Sequence, residues 1–370
     1  MNHQEPKSIL HIAFVNGDYS SGVSTIVPQL LKWQNKIEPI NVALLNLDDY
    51  IPDNAAYPVF FEKKLSKLPL PFNKPDLIVF HEIYRMPFLH FLTEARRQGI
   101  PYIITPHGSL NSVAQKQHHV IKTFLNKLFF DTFVKQAAYV HFLTYQEQNQ
   151  SSAFKTTNSY VLPNGIAIPD ADSYESPNDK KDIVFIGRLD IHVKGLDLLL
   201  SAAEYAQHEL RRRGLSVKIY GPDCNGSFEK LKDQVRACGV TDVCQICGPA
   251  LPDMKKDILT SALCYIQLSR TEGFPTSVLE ALSYGLPIIV SEGTTWKDAA
   301  RELSVGIGVD SDPASISDAI FKIADDTYLR SSMSENAIRV TRDNYSWRTI
   351  ASQHASIYME IIREAKSSQP

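Results

Sequence analysis

Apolar and polar positions along the chain follow two alternating rhythms. Short apolar runs of strand length fall at Ile9–Val15, Ile40–Leu47, Leu77–Phe80, Tyr102–Thr105 and Tyr139–Leu143, and stretches of helical period separate them. The first of these stretches sets Val23, Ile26, Val27, Leu30 and Leu31 on one face, with Pro28 inside it, where a kink is expected. Strands that are apolar throughout are covered on both faces, so the alternation predicts a parallel sheet between layers of helices. The rhythm breaks at Leu162-Pro163-Asn164-Gly165 and in the Pro-, Asp- and Ser-rich stretch from Ile168 to Lys181, which reads as a linker. It then restarts, with strands expected at Ile183–Ile186, Val217–Tyr220, Leu263–Leu268 and Ile288–Val290. A long amphipathic helix closes the chain from Ser346 to Ala365 and carries Ile350, His354, Ile357, Tyr358, Ile361 and Ile362. The predicted organisation is a domain over 1–168, a second over 169–345, and a terminal helix over 346–370.

Composition supports two cores, since 370 residues exceed what one ordinary core holds. A net charge of -3 supplies no general field for a nucleic acid, so no nucleic-acid partner is expected. No apolar run reaches membrane-spanning length, and Met1 to Ser8 is polar rather than leader-like, which makes the cytoplasm the expected compartment. All five cysteines lie between Cys224 and Cys264. Cys244 and Cys247 have the spacing of half a zinc site or a redox pair, but they sit in a strand-like run with no second pair, and small buried residues are the favoured reading.

The stretch from Arg270 to Ser291 carries the richest chemistry. A loop holding Glu272 and Gly273-Phe274-Pro275 leads into a short helix whose apolar face is Val278, Leu279 and Leu282, with Gly285 as a C-terminal cap and Pro287 as a stop. Glu272 and Glu280 bracket the helix N-terminus, where free N–H groups and the helix dipole favour an anion. Carboxylates accept sugar and ribose hydroxyls, so this segment could hold a nucleotide diphosphate sugar. For an arbitrary pair at this spacing, a surface-loop glutamate and a capping glutamate are the better explanation; the Gly-Phe-Pro between them and the Gly-x-Pro strand entry after them change the balance.

Other candidates are spread along the chain. Arg188 and Lys194, beside a glycine turn after Ile183–Ile186, could neutralise a diphosphate or be solvated surface cations. His107, in Thr105-Pro106-His107-Gly108, leaves a strand at the end where open α/β sheets bind ligands; a histidine bonded to backbone is the alternative. Asn16 to Gly22 is a small-residue loop between strand and helix, an anion cradle or a tight turn. Asp48-Asp49 reads as a solvated turn, and Asp312 before Pro313 as a helix cap rather than part of a metal site. Val113 to Lys135 has an apolar helical stripe that suits core packing or an interfacial membrane helix.

The Glu-x7-Glu spacing with Gly-Phe-Pro inside it resembles the hallmark of the retaining glycosyltransferases of the GT-B fold, the family numbered four, and the likeness extends over most of the chain. The resemblance implies two Rossmann-like domains facing across a cleft, the N-terminal one for the acceptor and the C-terminal one for the donor. It casts His107, Glu272, Arg188 and Lys194 as catalytic residues. It casts Gly22, Gly273, Phe274, Pro275, Thr276 and Glu280, with the two cations, as donor-binding. Glu272 would orient the sugar and Glu280 hold the ribose, without a metal or further cofactor. Where the family often has paired glycines, this chain has Ser21-Gly22. The implied donor is a UDP-hexose, glucose first, with GDP-mannose and UDP-N-acetylglucosamine behind it. The implied acceptor is a saccharide or lipid-linked saccharide in polysaccharide biosynthesis, with peripheral membrane contact left open. A GT-B nucleotide-sugar epimerase and a noncatalytic nucleotide-sugar sensor are the alternatives. Retention through a front-face step is favoured, because no carboxylate can be assigned beneath the anomeric carbon.

Overall fold

A computed structural model describes residues 5–18, 22–108, 131–151, 158–170 and 180–367. The chain divides into two compact units, one of Met1–Gly165 with Trp347–Pro370 and one of Ile166–Ser346.

In the first unit the elements run β1 (Lys7–Ala13), α1 (Gly22–Gln34), β2 (Ile40–Asn46), β3 (Val59–Phe60), β4 (Leu77–His81), α2 (Met86–Gln98), β5 (Tyr102–Thr105), α3 (Asp131–Lys135), β6 (Tyr139–Phe142), α4 (Tyr145–Gln150) and β7 (Ser159–Val161). The seven strands form one sheet in the order β3-β2-β1-β4-β5-β6-β7, and every pairing is parallel. Successive residues of β1 serve opposite faces: Leu10 and Ile12 pack with Phe80, Phe88 and Phe133, while Ile9 and Ala13 pack with Val27, Leu31 and Val79. Burial on both faces is why the strands read as near-continuous apolar runs. Pro28 does not end α1, which continues to Gln34 with Ile26, Val27, Leu30 and Leu31 buried.

The second unit repeats the plan with β8 (Asp182–Ile186), α5 (Leu196–Tyr205), α6 (Gln207–Arg213), β9 (Ser216–Tyr220), α7 (Ser227–Ala237), β10 (Cys244–Gly248), α8 (Pro252–Ser261), β11 (Ala262–Gln267), α9 (Thr276–Ser283), β12 (Ile288–Ser291), α10 (Lys297–Glu302), β13 (Gly306–Val309), α11 (Pro313–Asp325) and α12 (Thr327–Val340). Its sheet order is β10-β9-β8-β11-β12-β13, again parallel throughout. In both sheets the order reverses beside the first strand, between β1 and β4 and between β8 and β11. The loops leaving such strands flank a crevice, the usual ligand position of this architecture.

The last helix, α13 (Trp347–Ser367), returns to the first unit. Tyr358, Ile361 and Ile362 enter the same apolar cluster as Ile9 and Leu31. Gly165 is needed where it does so, because a Cβ there would lie 2.4 Å from the Trp347 ring.

Several expectations meet the structure here. Asp312 caps α11 by accepting from Ser315 N at 2.9 Å, with Pro313 in the first turn, while Asp310 pairs with Lys297 at 2.6 Å. Asp48 and Asp49 are exposed turn residues. The cysteines need a correction: Cys244 and Cys264 are buried, but Cys247 is exposed, because it lies near the end of β10, the edge strand of its sheet. Most of Val113 to Lys135 lies outside the described residues; the final turn is α3, with Phe133 and Val134 buried.

Candidate active site

In the second unit the site is built around α9. Val278, Leu279, Ala281 and Leu282 are fully buried and seat the helix on the sheet. Its end is a Schellman turn: Gly285 N donates to Leu282 O at 2.9 Å and Leu286 N to Ala281 O at 3.1 Å, with Gly285 at φ 73°. Pro275 occupies the N-cap position and makes no side-chain cap, so no side chain of that residue covers the N–H groups of the first turn. Glu280 stands one turn in, on the side of the helix away from its most buried residues.

The loop before α9 is clasped to the loop after β8. Arg270 N donates to Val193 O at 2.9 Å, and its guanidinium grips Asp197 with bonds of 2.8 and 2.6 Å while reaching His192 O at 2.8 Å. Gly195 makes the approach feasible. It adopts φ 64°, and a Cβ there would stand 2.0 Å from Leu268 O. The clasp brings Lys194 to Glu272, Nζ to Oε1, at 2.5 Å, both side chains being mostly buried. The same oxygen accepts from Ser269 Oγ at 2.8 Å and Gln267 Nε2 at 2.9 Å. Gln267 is in turn fixed by Tyr265 OH at 2.8 Å and Ser277 Oγ at 2.9 Å. Burial pushes the Tyr265 phenol far above its ordinary pKa, so it stays a donor. Glu272 is thus held in one orientation by three donors.

Arg188 differs: its side chain is 61% exposed, and its ion pair with Asp190 is loose at 3.9 Å. Its planar fork is available to an anion. Glu280 receives Lys255 of α8 at 2.9 and 3.3 Å. Arg188, Lys194, Glu272, Gly273, Phe274, Pro275, Thr276 and Glu280 therefore belong to loops and helix at the β8/β11 reversal of one unit. Lys255, Gln267, Ser269 and Ser277 were not singled out from sequence. Gln267 carries a signal, a polar residue ending an otherwise apolar strand, whereas Lys255 looks like any exposed helix lysine.

Gly22 and His107 belong to the first unit, Gly22 at the start of α1 with open space where a Cβ would be. Asn16, in the loop before it, accepts from Ser24 Oγ at 2.8 Å. His107 and Gly108 both have positive φ, 50° and 82°. For a histidine this is a strained conformation, sustained only when the surroundings hold it. Glu147 does part of the holding: buried in α4, it accepts from Gly108 N at 2.7 Å and Leu143 N at 2.8 Å. Burial raises the Glu147 pKa, and those two N–H groups draw it back. Behind His107 lies a row of imidazoles, with His107 Nε2 3.0 Å from His81 Nδ1 and His81 Nε2 2.9 Å from His11 Nδ1. Burial, with His141 adding to it, lowers the His107 pKa far below the ordinary histidine range, so this ring is neutral at pH 7.

Among the described residues no group of three or more His, Cys, Asp or Glu is placed to hold a metal ion, and no helix is long and apolar enough to cross a membrane.

Two α/β units with these sheet orders make the GT-B architecture, and solved structures share it. Sucrose-phosphate synthase from Thermosynechococcus elongatus aligns over 97% of this chain and 100% of its own, with TM-score 0.72 and 16% identity. The Anabaena protein HepE, solved in complex with UDP and glucose, aligns over 96% and 100%, with TM-score 0.69 and 16% identity. Residues 169–340 match the model of the family described as Glycosyl transferases group 1. Among curated proteins, the GDP-mannose:cellobiosyl-diphosphopolyprenol alpha-mannosyltransferase of Komagataeibacter xylinus is 26% identical over 210 residues, which cover 55% of this chain and 52% of that protein. The chain spans about half the length of the curated relatives it matches.

Proposed function

We propose that this protein is a retaining glycosyltransferase that moves a hexosyl group from a nucleotide diphosphate sugar to a hydroxyl of a saccharide or lipid-linked saccharide acceptor. The observation that carries the reading is the Lys194–Glu272 pair standing before α9, with Glu280 one turn inside that helix and Arg188 only loosely paired with Asp190 on the adjoining loop. A diphosphate would draw on the Arg188 fork, the Lys194 ammonium and the N–H groups of the first turn of α9. Glu272, already oriented by Ser269 and Gln267, would accept from sugar hydroxyls, and Glu280 from the ribose.

In the reaction the bond from the anomeric carbon to the diphosphate oxygen breaks, and a bond from that carbon to the acceptor oxygen forms on the same face. The acceptor proton passes to the departing phosphate oxygen, and the nucleoside diphosphate leaves. Negative charge grows on the diphosphate as the bond breaks, so cations and N–H groups fixed beforehand lower the barrier without a metal ion. The reading names UDP-glucose as donor. UDP and glucose in the HepE complex support that choice, while the GDP-mannose enzyme of Komagataeibacter supports a lipid-linked acceptor.

A thermal-shift screen tests the reading, since a ligand that binds only the native state raises the unfolding temperature. UDP-glucose should stabilise the protein more than UDP alone, and more than GDP-mannose or UDP-N-acetylglucosamine. No response to any nucleotide sugar would overturn the proposal.

A further inference from the structure

In the first unit one arginine spans the two strand exits at which the sheet order reverses. β1 and β4 are paired as far as Ile12 with Phe80, and Phe14 and Glu82 each stand two residues further on. Arg85, in the loop that follows β4, touches both. Its Nε donates to Glu82 Oε2 at 2.7 Å, and its guanidinium carbon lies over the Phe14 ring, 4.7 Å from the centroid.

Glu82 holds its carboxylate there at a cost. Its backbone has φ 77°, a conformation that glutamate rarely adopts and that persists only where the surroundings impose it. Its N–H donates to Thr105 O at 2.8 Å, which ties it to the exit of β5, and the preceding residue, His81, meets the His107 ring at 3.0 Å. The two left-handed residues Glu82 and His107 thus follow neighbouring strands. An ordinary surface ion pair three residues apart would account for the Glu82 bond alone. It requires neither the strained backbone nor an aromatic ring beneath the guanidinium.

A guanidinium is a planar fork, and these contacts occupy one of its faces and one of its donors. Nη1 and Nη2 make no hydrogen bond to a described residue, and the side chain is 44% exposed. The edge left over carries two parallel N–H donors, whose spacing matches two oxygens of a phosphate or a carboxylate. We propose that Arg85 is an oxyanion-binding residue at the crevice of the first unit, taking a phosphate or a carboxylate in bidentate fashion. Glu82 offsets much of its charge, so the site selects by the geometry of the fork more than by attraction at a distance. That the oxyanion belongs to the acceptor rests on the transferase reading; the site itself does not.

The test is nitrogen–proton correlation spectroscopy of the full chain labelled with 15N-arginine, the Arg85 Nε–H signal being assigned by its loss in Arg85→Gln. With UDP present in excess to occupy the second unit, methyl phosphate and methyl glucuronide are titrated separately. One of them should move the Arg85 signal saturably in the millimolar range while leaving Arg96, an exposed arginine of α2, unmoved. The one that binds tells whether phosphate or carboxylate is the group recognised. Arg85→Lys keeps the charge without the fork, and the affinity, followed by the phosphorus or carbon signals of the probe, should fall at least fivefold. Glu82→Gln keeps an acceptor for Nε and removes the opposing charge, so it should bind as tightly as the native chain or more so. An Arg85 signal that neither probe moves, a parallel response of Arg96, or native affinity in Arg85→Lys each overturns the proposal. The acceptor is tested apart from this, by transfer from UDP-glucose to a saccharide with and without a phosphate. Arg85→Gln should raise KM about tenfold for the phosphorylated acceptor and less than twofold for the neutral one, with kcat held. Equal increases for the two acceptors would overturn recognition of an oxyanion there, whereas a saturable Arg85 shift in a chain that shows no transfer would uphold the site and remove only the transferase reading.

Discussion

Lys194 donates to Glu272 across 2.5 Å from a loop 78 residues earlier in the chain, so the cation proposed for the diphosphate and the carboxylate proposed for the sugar satisfy one another. Donor binding would redistribute these partners, the ammonium turning to phosphate oxygens while Ser269 and Gln267 continue to hold the carboxylate. Lys194→Met should lower kcat for transfer about 100- to 1000-fold, the range for losing one preorganised group that meets developing charge. Steady-state kinetics with UDP-glucose decide it. A loss below threefold would mean that Lys194 serves only as a partner for Glu272.

The Lys255–Glu280 pair gives a prediction in two directions. Glu280→Ala should weaken binding of the bare nucleotide by about 2 kcal/mol, the scale of hydrogen bonds to a charged group. Lys255→Met removes a competitor for the same carboxylate and should leave nucleotide affinity unchanged or improved. Titration calorimetry with UDP separates the two, and parallel losses in both variants would show that the ion pair itself, rather than the carboxylate, recognises the ligand.

Gly195→Ala should be severe although the residue carries no chemistry. Its φ of 64° disfavours a side chain, and the added Cβ would meet Leu268 O at 2.0 Å. Either the two loops separate or the backbone changes conformation, at a cost of at least about 2 kcal/mol. Denaturant unfolding should show the loss. Nucleotide-sugar binding should fall with it, because the same clasp positions Lys194.

Acid should unfold the first unit. Burial pushes the pKa of His141 down to about 4 and that of His11 to about 3, and lowers His81 and His354 as well. The unfolded chain binds protons at these sites near pH 6.5 while the folded unit still excludes them. Their contribution is therefore complete above about pH 6.5 and is lost progressively as the pH falls towards 4, by up to about 1.4 kcal/mol per pH unit for each ring. Hydrogen exchange followed by mass spectrometry at pH 7.5, 6 and 4.5 should show β1, β4 and β6 losing protection first. Earlier opening of β8 and β11 would contradict this account.

The architecture was legible because fully covered strands leave unmistakable apolar runs, and because Gly285 with Pro287 marks the end of α9 whatever surrounds it. Glu272 and Glu280 stood out for the same local reason, being charges beside a recognisable helix start. Residues whose meaning lies in tertiary pairing were not legible. Lys255 reaches Glu280 from another helix, Glu147 ties Gly108 from α4, and His11 looks from sequence like a stray polar residue in a buried strand. Cys247 was misjudged because the sequence does not say which strand will form the edge of the sheet.

The seating of α13 has a consequence for biosynthesis. Tyr358, Ile361 and Ile362 complete a core whose other members, Ile9 and Leu31 among them, emerge from the ribosome hundreds of residues earlier. Domains ordinarily fold one after another as they are made. Here the unit translated first keeps an open apolar flank until the final helix arrives, while the unit encoded between them can finish on its own. A ribosome stalled before Trp347 would thus carry a finished second unit and an unfinished first one, a natural point for chaperones to attend.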